Sequence, residues 1–312
     1  MTSFLSKIIK FTFLVFIILW LGILFIPDKS VQSSILGAYP TKHELLKQTT
    51  QKKIILLGGS NLSFGINSKE IENALKKPVI NMGIHAGVGL EFMINDIKPY
   101  ISEGDTVILV PEYEHFYTDN FYGEMELISV LFDIEPQSKK IINKDQWFHL
   151  LKYLPTYSAK KIKNFLPSIL KNKEEPISIY HKNSFNEKGD AYLHWSLPNQ
   201  TYLPAIENKG NETVNKDVIN KILDFKKYII SQKAYLLIFP PVIDETSYNN
   251  QQSIISQINT ELADNQIIFA VSPLNYKYNN QLFFNSYYHL NKKGVDKRTQ
   301  QVINDLLNLK GE

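Results

Sequence analysis

The chain has 312 residues, of which 44% are hydrophobic and 21% are charged, so it is long enough for one large α/β domain or two small domains. Its net charge is +3, from 34 basic and 31 acidic residues, and this balance gives no support for nucleic-acid binding. The chain has no cysteine, which excludes disulfides, thiol catalysis and cysteine metal sites.

The chain begins with an apolar segment. The run from Phe11 to Ile26 carries no charge and, with its apolar neighbours, approaches the ~20 residues that a membrane-spanning helix needs. Lys7 and Lys10 precede it, which favours a cytoplasmic N-terminus and export of the rest of the chain. We predict an uncleaved signal-anchor transmembrane helix within residues 1–27, a single pass of the inner (cytoplasmic) membrane and a main domain that is periplasmic or extracellular. A cleaved signal peptide and an ordinary buried helix are the alternatives.

Residues 28–51 are predicted to form a linker with an approach helix, and strands then alternate with helices. The apolar runs predict strands over 53–59, 78–84, 105–116, 234–242 and 266–273. The amphipathic runs predict helices over 68–75, 89–101, 215–232, 249–265 and 295–309. This alternation is typical of a parallel sheet, here of about five strands, with helices on both faces. It stops over 117–210, which we interpret as an insertion that covers the carboxyl edge of the sheet in a domain spanning 52–312.

The residues that follow the strands are the candidates for chemistry, because ligands bind outside the carboxyl ends of a parallel sheet. The first strand ends in Gly-Gly and leads to Ser60, which is expected at the start of a helix. There, free backbone N–H groups can stabilise an oxyanion. A serine nucleophile needs a base, and His289, just before the last helix, is our candidate. A plain turn at Gly-Gly-Ser and a helix-start role for His289 are the alternative readings.

The sequence resembles the SGNH/GDSL hydrolase family over roughly residues 52–116 and 213–308. "GGSN" resembles the family's first block, "NMGIHAG" the second and "YYHLNKKG" the last. The resemblance implies an SGNH-like (flavodoxin-like) three-layer sandwich with Ser60 as nucleophile and His289 as base. It also implies oxyanion N–H groups from Ser60 and from Gly87 or Gly83, and it requires no cofactor or metal.

The chain departs from the family pattern in three places. Gly59 replaces the aspartate beside the serine. The third block, "PEYEHF", has no asparagine, and Glu112 or His115 falls near that place. The aspartate expected before the histidine is replaced by Asn285 and Ser286. Asn285 is therefore the candidate for orienting the imidazole, and Glu112 is a candidate substitute for the missing acid. The remaining pocket candidates are Asn61, Glu112, His115 and Ser286.

The family's membrane-anchored members are associated with bacterial exopolysaccharide and cell-wall acylation. The resemblance therefore implies a serine esterase or O-acyltransferase that acts on acetyl-type esters of an extracytoplasmic polysaccharide or envelope glycan. Its expected partners are that glycan, the membrane, and a membrane-bound acyltransferase or a polysaccharide export component. A non-catalytic polysaccharide-binding or assembly component with a degenerate SGNH fold is the rival reading, and a lipase is a second one.

Overall fold

The computed structural model describes residues 2–170, 178–200, 204–207 and 210–309. Its α-helices are α1 (Thr2–Leu24), α2 (Lys29–Ser33), α3 (Tyr39–Gln48), α4 (Ser60–Ser63), α5 (Ser68–Leu75), α6 (Leu90–Ile97), α7 (Met125–Ser129), α8 (Lys144–Leu151), α9 (Leu154–Leu170), α10 (Lys216–Ser231), α11 (Glu245–Asn250), α12 (Gln252–Asp264) and α13 (Lys292–Asn308). Its strands are β1 (Ile54–Gly58), β2 (Val79–Asn81), β3 (Thr106–Val110), β4 (Tyr235–Ile238), β5 (Ile243–Asp244) and β6 (Lys277–Tyr278).

Among the described residues, four strands form a parallel sheet in the order β2-β1-β3-β4, and β5 and β6 form a separate parallel pair. Along β1 and β3 the register pairs Ile54 with Thr106 and Gly58 with Val110. The chain leaves β1 toward β2 on one side and then crosses to β3 on the other. The carboxyl ends of β1 and β3 therefore flank the point at which the strand order reverses, and this is where parallel sheets form their ligand crevice.

Helices cover both faces of the sheet. Because side chains alternate along a strand, Ile54 and Leu56 of β1 enter one core, and Ile55 and Leu57 enter the other. The first core is completed by apolar residues of α5 and α13, and the second by those of α6, α10 and α12. The prediction of an α/β fold with a parallel sheet is therefore confirmed.

The predicted fifth strand is wrong. Residues 267–270 run beside β4 but make only one ladder-type bond to it, from Ala270 N to Ile238 O at 2.7 Å. The residue before this segment, Gln266, has a left-handed φ of 57°, and Ile268 is 71% exposed. An apolar run with one side chain turned to solvent and one shared hydrogen bond does not extend the sheet.

The interrupting region, residues 117–210, contacts the loops at the carboxyl ends of β1 and β2. Glu124 N donates to Gly87 O at 2.8 Å, and Ala191 N donates to Ser63 O at 2.8 Å. These contacts place parts of the region directly beside the loops that carry the candidate site.

Helix α1 exposes most of its apolar side chains. Those that are more than half exposed include Phe4, Leu5, Ile9, Phe11, Phe13, Leu14, Phe16 and Ile18. Its C-terminal end is attached to the domain, because Lys161 Nζ, which is ion-paired with Asp133, donates to Leu24 O at 3.0 Å. Within the described ranges, no helix combines the length and the apolar character that crossing a membrane requires, and the transmembrane helix predicted within 1–27 stays a prediction.

Candidate active site

Two glycines hold Ser60 at the end of β1. A Cβ on Gly58 would lie 2.4 Å from Val110 O of the neighbouring strand, and one on Gly59 would lie 2.6 Å from Glu112 Oε1. Ser60 begins the short helix α4, and Phe64 N closes its turn by donating to Ser60 O at 2.9 Å. A side chain at position 58 or 59 would therefore displace either the strand or Glu112.

Gly59 and Glu112 are linked departures from the family pattern. The space that an aspartate at position 59 would enter is filled by the Glu112 carboxyl group, which follows β3. This carboxyl accepts from Asn61 N at 2.9 Å and from Ser60 Oγ at 3.4 Å. The carboxyl group next to the candidate nucleophile is therefore that of Glu112, which follows β3. It does not come from the segment just before His289.

The Glu112 carboxyl is 4% exposed. Burial, together with the nearby Glu114 carboxyl group, raises its pKa to about 8. The Asn61 N–H, the Ser60 hydroxyl and the Arg298 charge oppose this shift. At neutral pH the group next to Ser60 is therefore mainly a neutral carboxylic acid.

The His289 ring is oriented by the asparagine predicted for this role. His289 Nδ1 lies 2.9 Å from Asn285 Oδ1, and Asn285 Nδ2 donates to Tyr180 Oη at 2.6 Å. Because the amide oxygen only accepts, Nδ1 carries the proton and Nε2 keeps its lone pair. Ser286 supports the loop by accepting from His289 N at 3.1 Å. This arrangement gives the tautomer that a general base requires.

Burial, together with the neighbouring His194 and His85, lowers the pKa of His289 to about 3. No carboxylate contacts this ring in the described part of the chain. The imidazole is therefore neutral across the physiological range and is a weak base.

Phe64 links the Ser60 turn to the His289 ring. Phe64, four residues after Ser60, stacks on His289 with ring centroids 4.4 Å apart and an interplanar angle of 21°. No hydrogen bond joins Ser60 to His289 among the described residues, since the Ser60 hydroxyl donates to Glu112. Glu112, predicted as a substitute acid for the histidine, contacts the serine and makes no hydrogen bond to the imidazole.

Both glycines predicted as oxyanion donors are already hydrogen-bonded. Gly83 N donates to Asn81 Oδ1 at 2.8 Å, and Gly87 N donates to His85 Nδ1 at 3.1 Å. Within the described ranges, the N–H of Ser60 makes no hydrogen bond. In this conformation Ser60 is the available backbone donor, and Gly87 becomes available only when it leaves His85.

Two pocket candidates have structural contacts instead. His115 is fully buried: its Nδ1 accepts from Glu112 N at 3.0 Å, and its Nε2 lies 3.2 Å from Ala86 O. Burial lowers the pKa of His115 to about 4, so it joins the second and third loops as a neutral ring. Asn61 is equally buried, and its amide donates to Val242 O at 2.8 Å.

A buried arginine of α13 holds the Ser60 turn in place. Arg298 donates to Asn61 O and to Asn61 Oδ1, each at 2.7 Å. Sequence reasoning missed Arg298, Phe64 and Tyr180, because no spacing or composition marks them. The contacts arise only when α13 and the 117–210 region pack against the end of β1.

No family model, no curated protein and no solved structure compared with this chain matches it.

Proposed function

We propose that this protein is a serine-dependent esterase or O-acyltransferase that acts on acetyl-type esters of an extracytoplasmic polysaccharide. The observation that carries the proposal is the contact, through Phe64, between the Ser60 helix and His289. Ser60 begins a helix at the reversal point between β1 and β3, and His289, with Nε2 unprotonated, stacks on the aromatic ring that ends the same helix. The SGNH resemblance supports the same reading, although it rests on short sequence blocks.

In the proposed reaction, Ser60 first leaves Glu112 and turns its hydroxyl toward His289. His289 Nε2 takes the proton while Oγ bonds to the acyl carbonyl carbon, and the Ser60 N–H stabilises the oxyanion. The imidazolium then protonates the leaving sugar oxygen as the ester C–O bond breaks, which leaves an acyl-Ser60. Water or an acceptor hydroxyl attacks this ester with the same assistance and releases free Ser60.

The surroundings of His289 predict a slow reaction. Asn285 fixes the ring but supplies no negative charge, so the imidazolium formed during the reaction is poorly stabilised. Slow deacylation by water gives a bound acceptor hydroxyl time to react. Transfer to a chosen sugar is therefore the form of the reaction that this site favours.

A membrane location remains part of the proposal. Exposed apolar side chains along α1 form a surface that water solvates poorly, which is typical of a membrane or protein contact. We expect the full-length chain to remain with the membrane fraction and a variant lacking residues 2–24 to be released. Release of both chains in the same fraction would contradict membrane attachment through α1.

The activity is tested with p-nitrophenyl acetate. We expect Ser60→Ala and His289→Ala to lower kcat/KM by roughly 10³-fold or more, the scale seen when a nucleophile or its base is removed. Ser253→Ala, an exposed serine on α12, is the matched control and should keep the wild-type rate. Products formed with added oligosaccharide then distinguish transfer from hydrolysis.

A non-catalytic polysaccharide-binding component is the second candidate. Two observations favour it: Ser60 is not bonded to His289, and the Gly83 and Gly87 N–H groups are engaged elsewhere. Equal p-nitrophenyl acetate rates in all four proteins would favour this candidate over the enzyme.

A further inference from the structure

The Ser60 turn uses only one of the two Glu112 oxygens. Asn61 N and Ser60 Oγ both donate to Oε1, at 2.9 and 3.4 Å, and neither of these bonds uses Oε2. This pattern fits a neutral carboxylic acid, whose carbonyl oxygen accepts hydrogen bonds while the other oxygen holds a proton that it can donate.

The surroundings of Glu112 disfavour an ionised carboxylate. No lysine, arginine or histidine side chain among the described residues pairs with either of its oxygens. The nearest cation, Arg298, gives its hydrogen bonds to Asn61 and Gly65. The titratable and charged groups that face this carboxyl are Ser60, Glu114, His115, Tyr287, Tyr288 and Arg298. A buried carboxyl next to a second, half-buried carboxyl and without a paired cation is held in its neutral form.

We propose that Glu112 acts in the Ser60 site as a neutral acid, accepting hydrogen bonds through Oε1 and donating one from Oε2 to the oxyanion that forms on the substrate. Glu112 keeps its proton throughout the reaction, so its O–H bond is not broken. This role fills the place of the third-block asparagine, which this chain lacks, and complements the backbone N–H of Ser60. It rests on the proposed function, because it assigns a donor to the same reaction.

The alternative role for Glu112 is that of the general base for Ser60. That role needs an ionised carboxylate. The two assignments therefore predict opposite changes of the hydrolysis rate with pH and with replacement of the carboxyl group by an amide. Glutamine resembles the neutral acid, because it has one accepting oxygen and one donating group on the same frame.

The test compares wild type with Glu112→Gln and Glu112→Ala in p-nitrophenyl acetate hydrolysis from pH 6 to 9.5. As a neutral donor, Glu112 should give a wild-type rate that falls as pH rises through about 8. Glu112→Gln should keep the rate within about threefold below that pH and lose the fall, and Glu112→Ala should lose roughly 10²-fold. A wild-type rate that rises through the same pH, together with an inactive Glu112→Gln, would overturn the proposal in favour of a base.

A second measurement follows the proton without using catalysis. In the unfolded chain the Glu112 carboxyl ionises near its ordinary pKa of 4.5, whereas the folded chain keeps the proton up to about 8. The folded state therefore binds more protons between these values, and the free energy of unfolding decreases as pH rises through this window. Glu112→Gln should lack this part of the decrease. The same pH dependence in both proteins would overturn the proposal whatever the activity.

The hydrolysis rates and the pH dependence of unfolding together distinguish failure of the neutral-acid proposal from failure of the proposed function. If no variant hydrolyses the ester but Glu112→Gln loses the pH-dependent destabilisation, the neutral acid is supported and its donor role falls with the proposed function. If Glu112→Gln does not fold, the infrared carbonyl band of a protonated carboxyl decides. The wild type should show this band at pH 7 and lose it by pH 9.5, and the absence of the band at pH 7 would contradict the proposal.

Discussion

A carboxyl group is buried at each end of the pair formed by strands β1 and β3, and the surroundings of the two groups are opposite in kind. At the amino ends, Asp105 pairs with Lys53 Nζ at 2.8 Å and accepts from the backbone N–H groups of Lys53 and Ser102. At the carboxyl ends, Glu112 contacts the Ser60 turn, and no cationic side chain in the described part of the chain forms an ion pair with it. In the first arrangement, the Lys53 ammonium group forms an ion pair with Asp105, and this pair links the two strands. The second leaves a buried carboxyl group without a paired cation next to a hydroxyl group, which costs stability.

The largest expected effect comes from breaking the amino-end pair. Lys53→Met leaves Asp105 buried without its cation and should lower the free energy of unfolding by ~3–5 kcal/mol. Urea unfolding measures this change, and Lys52→Met, at the exposed neighbouring position, is the control, with an expected change within ~0.5 kcal/mol. Equal destabilisation by the two variants would remove the contrast between the strand ends.

A smaller effect is expected at the carboxyl end from Gly59→Ala. The new methyl group would lie 2.6 Å from Glu112 Oε1 and 3.1 Å from Ala86 Cα, so it should destabilise the fold by ~1–3 kcal/mol. The double variant Gly59→Ala, Glu112→Ala should be more stable than the sum of the single changes predicts, because the first clash disappears. Strict additivity in urea unfolding would show that the two positions are independent.

Asn285→Asp sharpens the comparison by placing a carboxylate beside the histidine. The added charge should raise the pKa of His289, stabilise the imidazolium and increase kcat/KM for p-nitrophenyl acetate by roughly 10-fold. Asn285→Ala, which removes the orienting contact, should lower the rate. If the aspartate variant were slower than Asn285→Ala, His289 would not be the base.

The smallest effect concerns pH between 5 and 7. Because burial lowers the pKa of His289 to about 3, the folded ring remains neutral here and the wild-type rate should be nearly constant. The unfolded ring titrates near 6.5, so the stability due to this shift is present above pH 6.5 and is lost as pH falls toward 3. His289→Gln should reduce the acid sensitivity of unfolding, and a rate step near pH 6.5 would contradict a buried neutral base.

Local sequence predicted those features that depend on neighbours in the chain. The apolar runs place β1 and β3, the Gly-Gly-Ser stretch places Ser60 after a strand, and a spacing of four residues brings Asn285 to His289. The Ser60–Glu112 contact was not predicted, because it depends on β1 and β3 being adjacent in the sheet and on the absence of a side chain at Gly59. The resemblance implies Gly87 as an oxyanion donor, and nothing in the sequence shows that His85 accepts its N–H.

The hydrogen bonds from Arg298 to Asn61 join positions 237 residues apart, so they have a consequence for folding during synthesis. The turn that presents Ser60 is complete only after the last helix of the chain has been made and docked. A nascent polypeptide that lacks α13 therefore lacks the hydrogen bonds that hold Asn61 and the Ser60 turn in place.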